Sequence, residues 1–324
     1  MNGTAATNGT NTSVDLFTFY DTAFYMVNGS VGAVFNALVL FIAFKYIDTD
    51  DKPRQIIVIN MTAADLLMCT IYMLTRPFIS LFPNFFCHPY YVIIWTVQMC
   101  STLNLVWLNL DKLLYIQYPL HYYTIVSRNR LLLLSGCTWG ILVFIAVCTS
   151  LFMKTLNPFG CQRVQIDMDI YLPICLLYAI MILASFIISG IIYLIAHNST
   201  KLEARQRTKM FHRLFFLFSS TVWTFFTCLP YRLLFVMHIL CDSCRTQFSH
   251  DATDVFFRIL VVGTVINPLI TISTQRIYRV RLLKMLNKYQ ERRLSEETAI
   301  STSTRRPSSK GCLQIENVAL TSNM

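Results

Sequence analysis

Long apolar runs separated by short polar links set the pattern of this chain. Seven runs of about 20 residues or more lie near 22–46, 55–80, 88–117, 131–153, 170–196, 211–240 and 254–274. About 20 apolar residues are enough to cross a bilayer. Backbone in lipid must satisfy its own hydrogen bonds, so each run is predicted to be a helix. A barrel would show short alternating segments instead. Past the last run, Tyr278, Leu282, Met285, Leu286 and Tyr289 share one helical face, with Arg276, Arg279, Arg281, Lys284 and Lys288 around much of the remainder. That pattern predicts a short amphipathic helix lying on an anionic inner leaflet. The expected fold class is all-α: a seven-transmembrane helix bundle with a short amphipathic cytoplasmic eighth helix. Residues 22–290 form this domain, between a polar start (1–21) and a polar, Ser/Thr-rich tail (291–324) expected to be disordered.

Charge orients the bundle. The chain is 55% hydrophobic and only 14% charged, with 27 Lys and Arg against 17 acids. The cations gather in alternate links: Lys45, Lys52 and Arg54; Lys112, Arg128 and Arg130; Lys201, Arg205, Arg207, Lys209 and Arg213; then the tail from Arg276. Positive charge marks the cytosolic side. The N-terminus is therefore expected outside and the C-terminus inside, which fits an odd number of spans. Basic patches alternating with spans do not describe a nucleic-acid surface. Residues 1–21 have no Lys, Arg or apolar core, so no cleavable signal peptide is expected there. Sequons at Asn2, Asn8 and Asn11 suit an external, glycosylated tail. Arg292-Arg293-Leu294-Ser295 and Arg305-Arg306-Pro307-Ser308 suit basophilic kinases.

Polar residues inside the spans carry the candidate chemistry. Asn36 sits mid-span in the first run and Asp65 in the second. A mid-membrane carboxylate is costly unless it faces the bundle and finds partners, so Asp65 is either a structural hydrogen-bond knot or a cation or proton site. Cys87 and Asp111 are 24 residues apart, about 36 Å of helix, which places them at opposite faces of the bilayer. Cys161 lies in the outer link after the fourth run, where it is able to bond to Cys87. Cys241 and Cys244 share the last outer link and suit a local disulfide better than zinc, since only two ligands are visible. Pro230 in the sixth run and Pro268 in the seventh each free a carbonyl and kink their helix. The histidines (His88, His121, His197, His212, His238, His250) show no metal-ligand spacing, and no catalytic set is visible, so an enzyme is not expected.

Together Asn36, Asp65, Cys87 with Cys161, Asp111, Trp139, Pro230 and Asn267-Pro268 stand in the order and topology of the rhodopsin-like (class A) G-protein-coupled receptors, which residues 22–290 resemble. The chain looks like a divergent, invertebrate member. The resemblance implies a two-state bundle in which an outer ligand favours a helix-6 swing. A heterotrimeric G protein then docks near Asp111, Lys112 and Pro119, with arrestin and receptor kinases as further partners and membrane lipids around the bundle. Cys228, Pro230, Asn267 and Pro268 are the implied switch. Asp65, Ser101 and Asn267 are an implied pocket for an allosteric sodium ion, with no other cofactor. The family's Asp-Arg-Tyr reads Asp111-Lys112-Leu113 here, its helix-6 aromatic switch reads Cys228, and its helix-7 tyrosine reads Thr271. No acid stands near Thr208 to Phe211, where the family's inter-helix lock would need one. These departures leave a non-signalling decoy receptor as one alternative and a small-molecule transporter as another.

The ligand is read partly. Amine receptors place an acid where this chain has Ile94, and the seventh run has no Lys for retinal, so neither class is expected. The pocket is expected from Arg76, Tyr90, Trp95, Gln98, Tyr231 and Arg232, with Arg258 near it. Arginines among aromatics suit a carboxylate, a peptide terminus or a lipid headgroup, or else snorkel to the interface. A peptide is the favoured ligand, over a lipid. The expected location is the plasma membrane.

Overall fold

The computed structural model describes residues 19–152, 168–198, 204–244 and 246–304. Eight long helices account for nearly all of them: α1 (Phe19–Tyr46), α2 (Gln55–Leu67), α3 (Asn84–Gln117), α4 (Arg128–Phe152), α5 (Met168–Asn198), α6 (Ala204–Leu240), α7 (Gln247–Thr274) and α8 (Arg276–Thr304). No strand occurs among the described residues. Six of these helices (α1, α2 with its continuation to Met73, α3, α4, α5 and α7) are long and apolar enough to span a membrane on length and composition alone. α6 is longer still, but Ser219, Ser220, Thr221, Thr224, Thr227, Arg232 and His238 interrupt its apolar run.

The helices pack around α3, which bridges α4 and α5. Neighbours meet in the order α1–α2, α2–α4, α5–α6, α6–α7 and α7–α1, while α3 touches α2, α4, α5 and α6. The faces turned outward are apolar, as lipid requires. α4 shows this most, with Leu133, Ile141, Phe144 and Leu151 exposed. Where α1 crosses α2, Gly32 has no room for a side chain: a Cβ there would lie 2.5 Å from Cys69 Sγ.

Two local irregularities shape the interior. α2 runs on as a π-helical segment over Met68–Met73, closed by the Leu74 amide donating to the Cys69 carbonyl at 3.2 Å, and then a 3₁₀ turn over Arg76–Leu81. The wider π turn shifts the register of side chains that follow it, and Tyr72 is buried there. Pro230 and Pro268 lie inside α6 and α7 as the sequence predicts. Cys241 and Cys244 form a disulfide in the link from α6 to α7.

Residues 280–324 form a second compact unit, described as far as Thr304. α8 runs on to Thr304, past residue 290, where the sequence suggested that order ends.

Candidate functional site

The core site is built on Asp65. Its carboxylate is 1% exposed and accepts two hydrogen bonds, from Ser101 Oγ of α3 at 2.8 Å and from Asn267 Nδ2 of α7 at 3.0 Å. Three helices are thus tied at one buried charge. Around this knot Asn36 Nδ2 of α1 donates to the carbonyls of Gly32 (2.9 Å) and Thr264 (3.1 Å). Asn60 Nδ2 donates to Asn104 Oδ1 at 2.9 Å, and Asn60 Oδ1 accepts from Trp139 Nε1 at 2.6 Å, which joins α2, α3 and α4. A cavity of about 50 Å³ opens beside Asp65, room for a few waters. Gln98, Ser101, Trp223, Cys228, Gly263 and Asn267 are among its walls.

The end of the bundle that carries Arg76 is a packed aromatic cluster. Ring contacts run from Tyr25 of α1 to Tyr72 (centroids 5.9 Å apart), from Tyr72 to Phe257 of α7 (5.8 Å), and from Phe257 to Tyr231 of α6 (5.3 Å). Tyr90 stacks on Tyr72 at 6.2 Å. An arginine stands on each side. Arg76 Nη1 donates to Tyr91 Oη at 2.5 Å, and its guanidinium lies 5.9 Å from the Tyr72 ring centre. Arg232 is 2% exposed. It donates to Gln98 Oε1 at 2.7 Å and lies 4.3 Å from the Tyr178 ring centre and 5.1 Å from that of Tyr231. Two cations held against ring faces and neutral oxygens are chemistry for an anionic group.

The structure therefore gathers Arg76, Tyr90, Gln98, Tyr231 and Arg232 around linked rings. It sets Trp95 apart: that side chain lines a separate apolar cleft with Met99, Leu142, Ile145, Ile174 and Leu177, between α3, α4 and α5. Arg258 is engaged by Asp254 (2.8 Å) and by Asp21 of α1 (2.7 Å). Tyr25, Tyr72, Phe257 and Tyr178 were missed from the sequence. A run of aromatics near an arginine was their signal, but only the π turn and the ring contacts select the members.

At the opposite end, Asp111 is 4% exposed and accepts from Tyr122 Oη at 2.6 Å. Tyr122 belongs to a one-turn helix after α3, and burial and the Asp111 carboxylate both raise its hydroxyl's pKa. The Lys112 ammonium lies 5.3 Å from the Tyr115 ring centre. Pro119 sits in the exposed turn between, beside Leu120 and Tyr123, also exposed. Cys228 is buried on the cavity wall. Pro230 and Pro268 lie within α6 and α7, and Asn267 holds Asp65 as above. Cys87 is disulfide-bonded, while Cys161 and the sequons at Asn2, Asn8 and Asn11 lie outside the described residues.

Seven long helices tied by buried polar knots, with an aromatic cluster at one end and an acid–base pair at the other, form a bundle whose apolar lengths suit a multi-pass membrane protein. Residues 35–270 match the family model described as 7 transmembrane receptor (rhodopsin family), and the chain belongs to that family. It is 56% identical over 296 residues to the Caenorhabditis elegans protein named "G-protein coupled receptor aex-2", covering 91% of this chain and 92% of that one. As a member of this family it is a receptor that signals through heterotrimeric G proteins.

Proposed function

We propose that this receptor sits in the plasma membrane with its N-terminus outside and recognises a peptide through an acidic group. The observation that carries the reading is the aromatic cluster flanked by Arg76 and Arg232. Guanidinium groups bind carboxylates in a planar, bidentate way that lysine does not reproduce. The ring chain from Tyr25 to Tyr231 offers a surface on which flat or apolar peptide side chains stack. The positive links at the Lys112 end support its placement in the cytosol. There the G protein docks beside Lys112, Leu120 and Tyr123, and the serines of the tail are substrates for receptor kinases ahead of arrestin.

A sodium ion suits the core. Asp65 and Ser101 present oxygens to the cavity, and Asn267 holds the second carboxylate oxygen in place. A bound cation would supply the charge balance that a buried carboxylate otherwise lacks. A ligand then shifts the receptor between states only through its difference in affinity for them.

The test is a promiscuous G-protein reporter in cells, challenged with peptides as free acids and as C-terminal amides, and with lipid acids. A saturable response to a free-acid peptide, lost on amidation and in Arg232→Gln with surface expression intact, supports the reading. A response to lipid acids alone replaces the peptide. Responses unaffected by Arg76→Gln and Arg232→Gln place the ligand elsewhere.

A further inference from the structure

α6 contains no Asp or Glu in any of its 37 residues. Asp111 is held by Tyr122, on its own side of the bundle. A neutral contact joins α6 to α3 near this end. The sequence places Asn109 two residues before Asp111, in an otherwise apolar stretch of α3. Its side chain is fully buried, and its Nδ2 meets three acceptors: the Leu105 carbonyl of its own helix at 3.0 Å, Ser185 Oγ of α5 at 2.8 Å and Thr221 Oγ1 of α6 at 3.2 Å. Ser185 and Thr221 are 1% and 2% exposed. A backbone carbonyl only accepts, so the bond to Leu105 fixes the amide nitrogen, not the oxygen, toward the junction.

We propose that Asn109 is a neutral latch that holds α6 against α3 and α5 in the resting receptor. Two amide hydrogens serve three acceptors, so one hydrogen is shared. The Thr221 contact is the longest and the first to break. Thr221 lies nine residues from Pro230, about 14 Å along the helix. A pivot of roughly 4° at the proline moves Thr221 by about 1 Å, enough to take a 3.2 Å contact beyond hydrogen-bonding range. The latch therefore opens at the start of an α6 swing, while the Ser185 contact keeps α3 and α5 joined.

The inference rests on the reading that α6 moves during signalling, so its test has two readouts on the full receptor in lipid nanodiscs. Hydrogen–deuterium exchange of the α6 segment around Thr221 reports release of the helix, and ligand-free GTP turnover by added heterotrimers reports signalling. Thr221→Val keeps the shape and loses the acceptor; it is expected to raise exchange and turnover about fivefold, the weight of one neutral hydrogen bond. Thr221→Ser keeps the oxygen and should match the parent. Ser185→Ala returns the shared hydrogen to Thr221, so turnover should stay level or fall. Faster exchange without turnover from any heterotrimer leaves the latch standing and overturns the coupling reading. Unchanged exchange in Thr221→Val, or equal rises in the Val and Ser variants, overturns the latch.

Discussion

Removing one oxygen from Tyr122 tests how the foot of α3 is held. Asp111 is buried, and Tyr122 Oη is its hydrogen-bond donor at 2.6 Å; its second oxygen, Oδ2, is buried with no hydrogen-bond partner among the described residues. A hydrogen bond to a charged group contributes about 1.5–3 kcal/mol, and a buried carboxylate deprived of its donor keeps its full desolvation penalty. Tyr122→Phe leaves the ring in place against Tyr115, whose centroid lies 5.1 Å away, so packing should change little. The expected loss is about 2 kcal/mol, which for a chain of this size lowers Tm by about 3 °C. Thermal unfolding of purified receptor in one detergent measures it. A cycle with Asp111→Ala isolates the pair, and its coupling should be about 2 kcal/mol. The pH dependence has a definite sign. Burial first, and Asp111 next, raise the Tyr122 hydroxyl's pKa, so the folded state disfavours its anion. Its contribution is fully present below the unfolded tyrosine value of about 10 and is lost as pH rises through the folded value. The Tm gap between parent and Tyr122→Phe should be flat from pH 6 to 9 and close only above about 10. Equal Tm values at neutral pH, or a coupling below about 0.5 kcal/mol, would refute the assignment.

Three further outcomes follow from single contacts. Gly263→Ala puts a Cβ 2.5 Å from Trp223 Nε1, so the usual helix gain from alanine is outweighed and stability falls by about 2 kcal/mol, with Gly263→Ala/Trp223→Leu recovering most of it in the same melt. Sodium chloride should raise the parent's Tm over equimolar N-methylglucamine chloride, and Asp65→Asn should erase the difference; a gain that survives in the variant would place any ion elsewhere. Trp139→Phe removes the 2.6 Å bond to Asn60 and should cost about 1 kcal/mol by chemical denaturation.

Much of this was readable in advance because lipid makes polar residues rare and therefore informative. Asp65, Asn36 and Asn267 were noticed for that reason, and each is in the central knot. Spans were readable because apolar length is a direct physical requirement. What escaped was whatever depends on the angle between helices. Tyr72 faces the aromatic cluster because α2 takes a π turn that no spacing rule announces. Trp95 looked like its neighbours Gln98 and Tyr90 along the chain, yet it faces α4 and α5. Asn109 carried the same signal as Asp65, a polar side chain in an apolar run, but sat beside a more conspicuous acid–base pair.

The departures from the family pattern acquire a common physical sense once their surroundings are compared. Asp111 accepts from the nearby Tyr122. Trp223, one and a half turns before Cys228, packs on Gly263 and so spans α6 and α7 where an aromatic at Cys228 does not. Tyr278, seven residues beyond Thr271, is fully buried and donates to Gln55 Oε1 of α2 at 3.0 Å. Asn109 shares its amide between two hydroxyls. In each case a charge-based or aromatic contact has moved by a few residues and become a neutral hydrogen bond, a bond to a nearby tyrosine or a close packing contact. Neutral bonds of about 1 kcal/mol are weaker than buried ion pairs with good geometry, and they lack the large penalty of stranding a charge when they part. A bundle fastened this way separates its helices at lower energy.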